Sequence, residues 1–377
     1  MIQADSGALL VIGGAFASAL LISLLLTPQA ARFATATGAI DAPGAARRIH
    51  SRPIPRGGGV AVAASFVVVG GLCFAVVAGT GSTFDMTDIT PPEALALFGG
   101  AVAAAVLGFL DDRFQLRARW QLLMQAALAI GAVVAGVMVD FINNPAGPRV
   151  ITFSTPFAVG FTVFWIAGMI NSINWIDGLD GLSTGVALIA AVTLGLISLG
   201  SAIDQPAVAL LCACLAGALA GFLPWNFHPA RVFIGSAGTY FIGYTLAVLA
   251  ILGTAKVAVA ILVLGVPIID TFWIIVRRTL AGQAPFTADR GHLHHRLLDL
   301  GISHRGAVLT IYALTGILAV LSLILSGSGQ LYAFAGLVAA AGVLLYVSLR
   351  RGNGALDADA YDGQDEGEDA PGNGEDR

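Results

Sequence analysis

Long apolar runs recur along the whole chain, and each is close to the length that crosses a bilayer. A transmembrane helix needs ~20 predominantly apolar residues. The runs are continuous rather than alternating, which favours helices over a β-barrel. Only 11% of the residues are charged, against about 25% in soluble domains. We therefore predict an all-α polytopic integral membrane protein with about 11 transmembrane helices, near residues 8–26, 58–80, 93–110, 120–140, 155–171, 182–200, 205–223, 238–253, 255–276, 306–326 and 330–349.

The basic residues predict the orientation of the chain. The first apolar run follows "MIQADSGA", which lacks the positive start of a secretory signal. We interpret this run as an uncleaved span with its N-terminus outside, which places the C-terminus inside. All 19 basic residues except Arg149 and Lys256 then fall on the inner side, as the positive-inside rule requires. The inner loops are 27–57, 111–119, 172–181, 224–237 and 277–305, followed by the tail.

The chain divides into a membrane domain, 1–351, and an acidic tail, 352–377. The tail is rich in glycine and holds nine acids and one arginine, so we expect it to be disordered and cytoplasmic. The membrane domain keeps eighteen basic residues against fourteen acids, a balance that suits anionic ligands. Its cysteines form no CxxC pattern and are interpreted as small packing residues: Cys73, Cys212 and Cys214.

The stretch "NSINWIDGLDGLSTG" places polar side chains in a very apolar chain, where burying them is costly. Asn171, Asn174, Asp177 and Asp180 are three residues apart, so on a helix they would follow one slowly rotating face. The spacing is not that of an EF-hand loop. A capped turn between helices would explain one aspartate, but not four polar residues, so the stretch indicates a functional site.

Two other inner loops predict contacts with phosphate or metal. Asp111 and Asp112 end a helix, where negative charge is unfavourable, and such carboxylates commonly hold Mg²⁺ near phosphates. Arg56 precedes three glycines, Gly57–Gly59, at the start of the next span. Free amides at such a turn would bind an anion, although an ordinary positive loop before a helix explains the arginine equally well.

The remaining inner loops carry histidines. The fourth holds Asn226, His228 and a glycine-rich turn. In the fifth, "DRGHLHHRL", Arg290 precedes His292, His294 and His295, which we expect to contact phosphates or relay protons. Zinc binding is the alternative, but no further ligand set with suitable spacing accompanies them. Asp270 lies inside an apolar run, where an acid is a functional hypothesis by default.

Together these loops predict Mg²⁺-assisted chemistry on a phosphorylated substrate in a hydrated cytoplasmic cleft, with a second substrate anchored in lipid. A secondary transporter is the main alternative, but its polar residues would lie near the bilayer midplane. An intramembrane aspartyl protease would need two acids facing each other within helices, which the loop positions do not favour.

The ordered motifs resemble those of the polyprenyl-phosphate N-acetylhexosamine-1-phosphate transferases, relatives of the phospho-MurNAc-pentapeptide translocase. The resemblance runs from Asp41 to about Ser303 and rests on "RPIPRGGG", "GFLDDRFQL", "NSINWIDGLDGLSTG", "FLPWNFHPARVFIG" and "DRGHLHHRLLDLGIS". It implies transfer of a sugar 1-phosphate from a UDP-N-acetylhexosamine, GlcNAc by first expectation, to polyprenyl (undecaprenyl) phosphate, with release of UMP. It also implies the bacterial inner membrane, cell-envelope glycan synthesis such as lipopolysaccharide or teichoic acid, and no nucleic-acid partner; a homodimer is left open.

The resemblance also implies roles for individual residues. Catalysis falls to Asp111, Asp112 and Asp177, and the metal, Mg²⁺ or Mn²⁺, to Asp112 and Asp177. The substrates would contact Arg56, Asn171, Asn174, Asp180, Arg290, His292, His294 and His295.

One residue departs from the family pattern. Relatives commonly have an aspartate, a magnesium ligand, in the motif that reads "FIGSAGT" here, where Ser236 takes its place. A hydroxyl is a weaker ligand than a carboxylate. Because the other four aspartates are kept, we expect an active enzyme with a modified metal site; a catalytically altered homologue is the alternative.

Overall fold

Twelve helices and two short hairpins make up most of the structure that the computed structural model describes. It describes residues 6–41, 53–80, 89–144, 150–200, 203–253, 257–280, 282, 292–325, 328–340 and 342. The helices are α1 Ser6–Thr37, α2 Gly58–Thr80, α3 Pro91–Phe114, α4 Ala118–Val134, α5 Thr155–Ile176, α6 Leu182–Ser198, α7 Pro206–Asn226, α8 Gly235–Leu252, α9 Val257–Val263, α10 Gly265–Leu280, α11 Leu293–Asp299 and α12 His304–Ile324.

The two hairpins are antiparallel. In the first, β1 (Ile40–Asp41) pairs with β2 (Ile54–Pro55), between α1 and α2. In the second, β3 (Phe141–Asn143) pairs with β4 (Val150–Thr152), between α4 and α5. By its internal contacts the chain forms two units, Met1–Leu331 and Tyr332–Arg377. Residues 332–340 of the second unit are helical, and the predicted acidic tail, 352–377, lies outside the described residues.

Seven of the described helices are long and apolar enough to span a bilayer: α1, α2, α3, α5, α7, α8 and α12. An eighth span is obtained if α9 and α10 count as one, although they meet at a bend of 78°. α4 and α6 are apolar but have only 17 residues each. The protein is therefore an all-α, multi-pass membrane protein, whereas the count of eleven spans and the orientation stay predictions.

Two boundaries differ from the sequence prediction. The first inner loop was expected to begin at residue 27, but α1 continues to Thr37 because the apolar and small residues up to that point are compatible with a helix. The run 255–276 was expected to be one span, but it is two helices separated at Leu264. Asp270 therefore lies on a short helix, α10, rather than in the middle of a straight span.

α7 is the central helix of the body. It packs against α1, α2 and α6, and most of its residues are buried. Gly217 and Gly221, one helical turn apart, lie against the backbone carbonyls of Phe16 and Leu20 in α1. Small residues at this spacing allow membrane helices to approach closely. Cys212 and Cys214 are buried on the same helix, as expected for packing residues.

Candidate active site

A cavity of about 840 Å³ opens where the ends of several helices meet. Its wall is formed by the β1–β2 hairpin, the last turns of α3, α5 and α7, the first turns of α8 and α12, and the loops between them. Each of the five predicted inner loops contributes at least one residue to it. The lining residues that bear on the argument are Asp41, Arg56, Asp112, Asn174, Asp177, Asp180, Asn226, His228, Ser236 and His304.

Asp112 binds the first amides of α8. Its Oδ1 accepts a hydrogen bond from the Ser236 N–H at 3.0 Å, and its Oδ2 accepts one from the Ala237 N–H at 3.0 Å. The side chain is fully buried. Helix N-termini favour anions because their amides are unpaired and the dipole is positive there. The carboxylate of α3 is therefore held in a fixed position and orientation by α8.

Gly235 makes this arrangement possible. Its φ of +68° lies in the left-handed region, which side chains rarely adopt. A Cβ at this position would also overlap Asp112 Oδ2. Glycine therefore serves both to start α8 and to let the carboxylate reach its amides.

Arg56 connects two acids at the cavity wall. Its Nη2 lies 2.9 Å from Asp41 Oδ1, and its Nη1 lies 3.4 Å from Asp112 Oδ1. Asp41 was not among the predicted site residues; its place in a two-residue strand opposite Ile54 gave no sequence signal. Because the guanidinium is fixed by both acids, it provides a positioned cation in the cavity.

Asp177 lies just after α5, at the beginning of the turn to α6. Its Oδ1 accepts a hydrogen bond from the Ser183 hydroxyl at 2.6 Å. Burial, opposed by the Ser183 hydrogen bond and assisted by the negative charge of Asp112, raises the pKa of Asp177 to about 7. A carboxyl group with a pKa near neutral exchanges protons readily at pH 7, and a nearby cation would favour its charged form.

Asp180 joins two histidines on the opposite side of the turn. Its Oδ2 lies 2.7 Å from His228 Nδ1 and accepts the Ala230 N–H, and its own N–H donates to His304 Nε2 at 3.0 Å. The ligand atoms of the three side chains lie within 4.8 Å of one another. However, the two imidazoles are stacked at 4.1 Å and 21°, so both rings would have to turn before they could share one ion. His304 was missed by the sequence analysis, since a single histidine after a loop carries little information.

The asparagines of the predicted site have different positions. Asn174 lines the cavity, and its Oδ1 accepts the Thr239 hydroxyl at 2.7 Å. Asn171, one turn earlier on α5, points to α4 instead and donates to Gln125 Oε1 at 2.6 Å. The helical face predicted for Asn171 to Asp180 ends at Ile176, because Asp177 and Asp180 lie beyond the helix.

Asp111 also lies outside the residues that line the cavity. Its Oδ1 accepts hydrogen bonds from the Leu116 N–H at 3.0 Å and from Gln121 Nε2 at 2.7 Å. These contacts stabilise the turn between α3 and α4. Adjacent residues of a helix point in directions about 100° apart, and the two acids of the pair have different partners here. The structure thus brings Asp112, rather than Asp111, to the cavity.

Two of the three glycines after Arg56 do not offer the free amides of the predicted anion site. The N–H groups of Gly58 and Gly59 donate to the carbonyls of Phe233 and Ile234, at 2.9 and 2.8 Å. A Cβ on any of the three would overlap a neighbouring atom, in Ala30, Phe222 or Gly238 respectively. These amides are already paired, and the glycines are required for close packing of α2.

The histidine motif lies behind the cavity wall. His294 is buried, and its Nε2 occupies the space that a Cβ on Gly178, the residue after Asp177, would fill. Burial, followed by the charges of the neighbouring histidines, lowers the pKa of His294 to about 3, so this side chain is neutral at pH 7. Its Nδ1 finds no hydrogen-bond partner within the described part of the chain. Arg290 lies outside the described residues.

His292 and His295 accompany His294 in the described part of the motif. Their rings lie 5.4 and 4.3 Å from that of His294. None of the three is among the residues that line the cavity, and their contact with substrate phosphates stays a prediction.

The oxygen atoms of the cavity are compatible with a magnesium ion. Asp177 uses one carboxylate oxygen for Ser183, and its second oxygen has no partner among the described residues. Asp112 Oδ1 accepts the Ser236 amide and Arg56 Nη1, whereas Oδ2 accepts only the Ala237 amide, which leaves a lone pair on Oδ2. Mg²⁺ is usually held by one or two carboxylates plus substrate phosphates and water. Asp177 and Asp112 therefore fit the metal site that the sequence predicts, with the Ser236 hydroxyl as a weaker neighbour.

The chain is similar to a family model and to several known proteins. The model of glycosyl transferase family 4 matches residues 94–254, from α3 to the end of α8. A Bacillus subtilis protein described as a probable undecaprenyl-phosphate N-acetylglucosaminyl 1-phosphate transferase is 35% identical over 83% of this chain and 85% of its own length. The decaprenyl-phosphate N-acetylglucosaminephosphotransferase of Mycolicibacterium smegmatis is 35% identical over 81% of each chain.

A more distant relative has the same activity in its name. The undecaprenyl-phosphate alpha-N-acetylglucosaminyl 1-phosphate transferase of Escherichia coli K12 is 28% identical over 82% of this chain and 83% of its own length. The residues that the family model matches include α3, α5, α7 and α8, whose ends contribute to the cavity. This protein belongs to glycosyl transferase family 4, the family of the polyprenyl-phosphate N-acetylglucosaminyl 1-phosphate transferases.

Proposed function

We propose that this protein transfers N-acetylglucosamine 1-phosphate from UDP-N-acetylglucosamine to polyprenyl phosphate and releases UMP. The observation that carries the proposal is the cavity, in which Asp112 and Asp177 lie beside a fixed cation, Arg56. The names of relatives that match over four-fifths of the chain support the sugar and the lipid acceptor.

The reaction is a phosphoryl transfer with a simple balance of bonds. A phosphate oxygen of the lipid attacks the β-phosphorus of the nucleotide sugar, and the bond from that phosphorus to the bridging oxygen breaks, so UMP leaves. A phosphate monoester has a second pKa near 6 and is mostly ionised at pH 7. The protein therefore contributes mainly by positioning two anions and by balancing their charge.

Each cavity residue has a role in this scheme. Arg56 is placed to bind a phosphate oxygen, since both of its anchoring acids hold it at the wall. Asp177, whose pKa lies near 7, is placed to accept the residual proton of the lipid phosphate. Asp112 and Asp177 would hold Mg²⁺, which when bound neutralises charge on the diphosphate. Asp180, with its histidines, and Asn174 form the polar wall for the nucleotide.

We further propose that the cavity faces the cytoplasm of a bacterial inner membrane, where UDP-sugars are available. The distribution of arginine and lysine supports this orientation. The bacterial sources of the relatives support the membrane. The alternative of a transporter is not favoured, because the acids described in the cavity gather at one end of the helices.

The test is an assay with purified protein, undecaprenyl phosphate and a panel of UDP-sugars. We expect UMP release and a lipid-linked product with UDP-N-acetylglucosamine, and at least tenfold less with UDP-glucose. If a product formed only with another UDP-N-acetylhexosamine, the proposed donor sugar would be wrong and the reaction type would stand. Uptake of substrate into proteoliposomes without UMP release would overturn the proposed transferase activity and favour a transporter.

Ser236 gives a prediction about the metal. Its N–H donates to Asp112 Oδ1, and its side chain lines the cavity. A carboxylate at this position would be a stronger ligand than the hydroxyl. We expect Ser236→Asp to lower the Mg²⁺ concentration for half-maximal activity about tenfold, which corresponds to roughly 1.4 kcal/mol. Asparagine has the size of aspartate but no charge, so Ser236→Asn should leave the Mg²⁺ concentration for half-maximal activity nearly unchanged.

The metal affinity can be measured without turnover. Binding of Mn²⁺, followed by electron paramagnetic resonance, should tighten in Ser236→Asp and not in Ser236→Asn. Equal affinity in both variants would show that residue 236 is not a ligand position in this protein.

A further inference from the structure

Asp270 is a buried acid that the reaction scheme leaves without a role. It lies on α10 and is 8% exposed. Its Oδ2 lies 2.8 Å from His292 Nδ1, and its Oδ1 accepts the Leu293 N–H at 2.8 Å. Both oxygens of a single carboxylate thus bind the residues that begin α11.

Capping alone does not require an acid here. Serine, threonine or asparagine would cap α11 as well, and an acid on an apolar helix is expensive. A carboxylate is the side chain that accepts from the helix amide and from an imidazole N–H at once. The Asp270 carboxylate accepts a hydrogen bond from His292 Nδ1–H. It therefore keeps the proton of the neutral imidazole on Nδ1 and leaves Nε2 as the basic nitrogen.

Contacts lead from this pair to the cavity. The His292 ring lies 5.4 Å from the His294 ring, with 13° between the planes, and it meets the edge of Trp175 at 6.5 Å. His294 in turn packs on Gly178, next to Asp177. Gly178 follows Asp177 in the sequence, and Trp175 precedes Asp177 by two residues. The orientation of His292 is therefore linked through two packed rings to the backbone on both sides of Asp177.

We propose that Asp270 is a positioning residue of the transferase. It sets the tautomer and ring orientation of His292 and fixes α11, so that His294 supports the turn that carries Asp177. The proposal deepens the proposed function and rests on it. It assigns to an acid on a membrane helix a role that sequence alone leaves open.

The test uses Asp270→Asn. The asparagine oxygen can still accept from Leu293, but its NH₂ group then faces His292 Nδ1, which must become an acceptor. The proton moves to Nε2, while the cap is kept. We expect kcat to fall roughly 10- to 100-fold, the range for partners that orient an imidazole, with KM for UDP-N-acetylglucosamine within about twofold and an unchanged melting temperature. The control is Asp299→Asn, the same change at an exposed acid at the end of α11, which should leave both constants unchanged.

A double-mutant cycle separates positioning from a purely structural role. If Asp270 acts through His292, Asp270→Asn should change kcat less than about twofold in a His292→Gln background. Additive effects would overturn the proposal, as would full activity of the Asp270→Asn single variant.

Nitrogen NMR of histidine-labelled protein gives a readout that does not depend on turnover. One histidine should change from the Nδ1–H to the Nε2–H tautomer in Asp270→Asn, and an unchanged spectrum would contradict the proposal. If the wild-type protein releases no UMP but the tautomer changes as expected, the proposed function fails while the Asp270–His292 coupling stands.

Discussion

Asp112→Asn and Asp177→Asn are each expected to reduce UMP release by roughly 10²- to 10⁴-fold, as the loss of a group that handles charge or protons in the reaction does. At residue 112 the change also disturbs the start of α8. The carboxylate accepts two amide N–H groups, from Ser236 and Ala237, whereas an asparagine offers one oxygen and would direct its NH₂ group at the second N–H. Asp177 has one oxygen free of protein partners among the described residues, so its loss should affect the reaction more than the fold.

The matched control is Asp140→Asn. Asp140 is an exposed acid near the β3–β4 hairpin and away from the cavity, so the same chemical change should leave UMP release within about twofold of wild type. Initial rates should be measured at saturating UDP-N-acetylglucosamine and undecaprenyl phosphate, with the melting temperature of each variant. Near-normal rates in both cavity variants would refute the proposed site.

Gly59→Ala should strongly destabilise the protein. Gly59 lies at the start of α2, where its N–H donates to the Ile234 carbonyl at 2.8 Å. A Cβ there would overlap the backbone nitrogen and Cα of Gly238 in α8. Backbone atoms cannot rotate away as a side chain can, so α2 and α8 would have to separate. We expect a cost of about 3 kcal/mol, at the upper end for overpacking, and a melting temperature lower by on the order of 10 °C.

Gly71→Ala, on the same helix, provides the comparison. Nothing lies within 4 Å of the position where its Cβ would be, and alanine in a helix interior is favoured over glycine by roughly 0.5–1 kcal/mol. This variant should therefore be as stable as wild type or slightly more so. Thermal unfolding in detergent, with the yield of monodisperse protein, measures both. A Gly59→Ala variant that melts with wild type would mean that α2 and α8 are not packed as described.

Much of the fold could be predicted because apolar length and glycine positions are local features. The runs at 58–80 and 155–171 correspond closely to α2 and α5. The bend between α9 and α10 was missed because the prediction followed hydrophobicity along the run, although Gly265 and Pro267, just after Leu264, are residues that weaken a helix. The end of α1 was missed for a similar reason: the predicted loop began where hydrophobicity fell, but helix formation tolerates such residues.

The sequence identified several residues of the site, but it could not predict which residues they contact. Asp112, Asp177 and Arg56 were identified from the loops, and the structure places all three at one cavity. The pairing of Asp112 with the amides of α8 spans 124 residues, and no local pattern reports such a contact. Gly57–Gly59 were misinterpreted because a phosphate turn and a tight helix contact demand the same residue type.

The attachment of Asp112 to α8 has a consequence for biogenesis. Segments of a multi-pass protein enter the bilayer one after another, but this carboxylate meets its amides only when two non-neighbouring segments have come together. A chain in which α8 has not yet joined α3 therefore lacks an organised reaction centre.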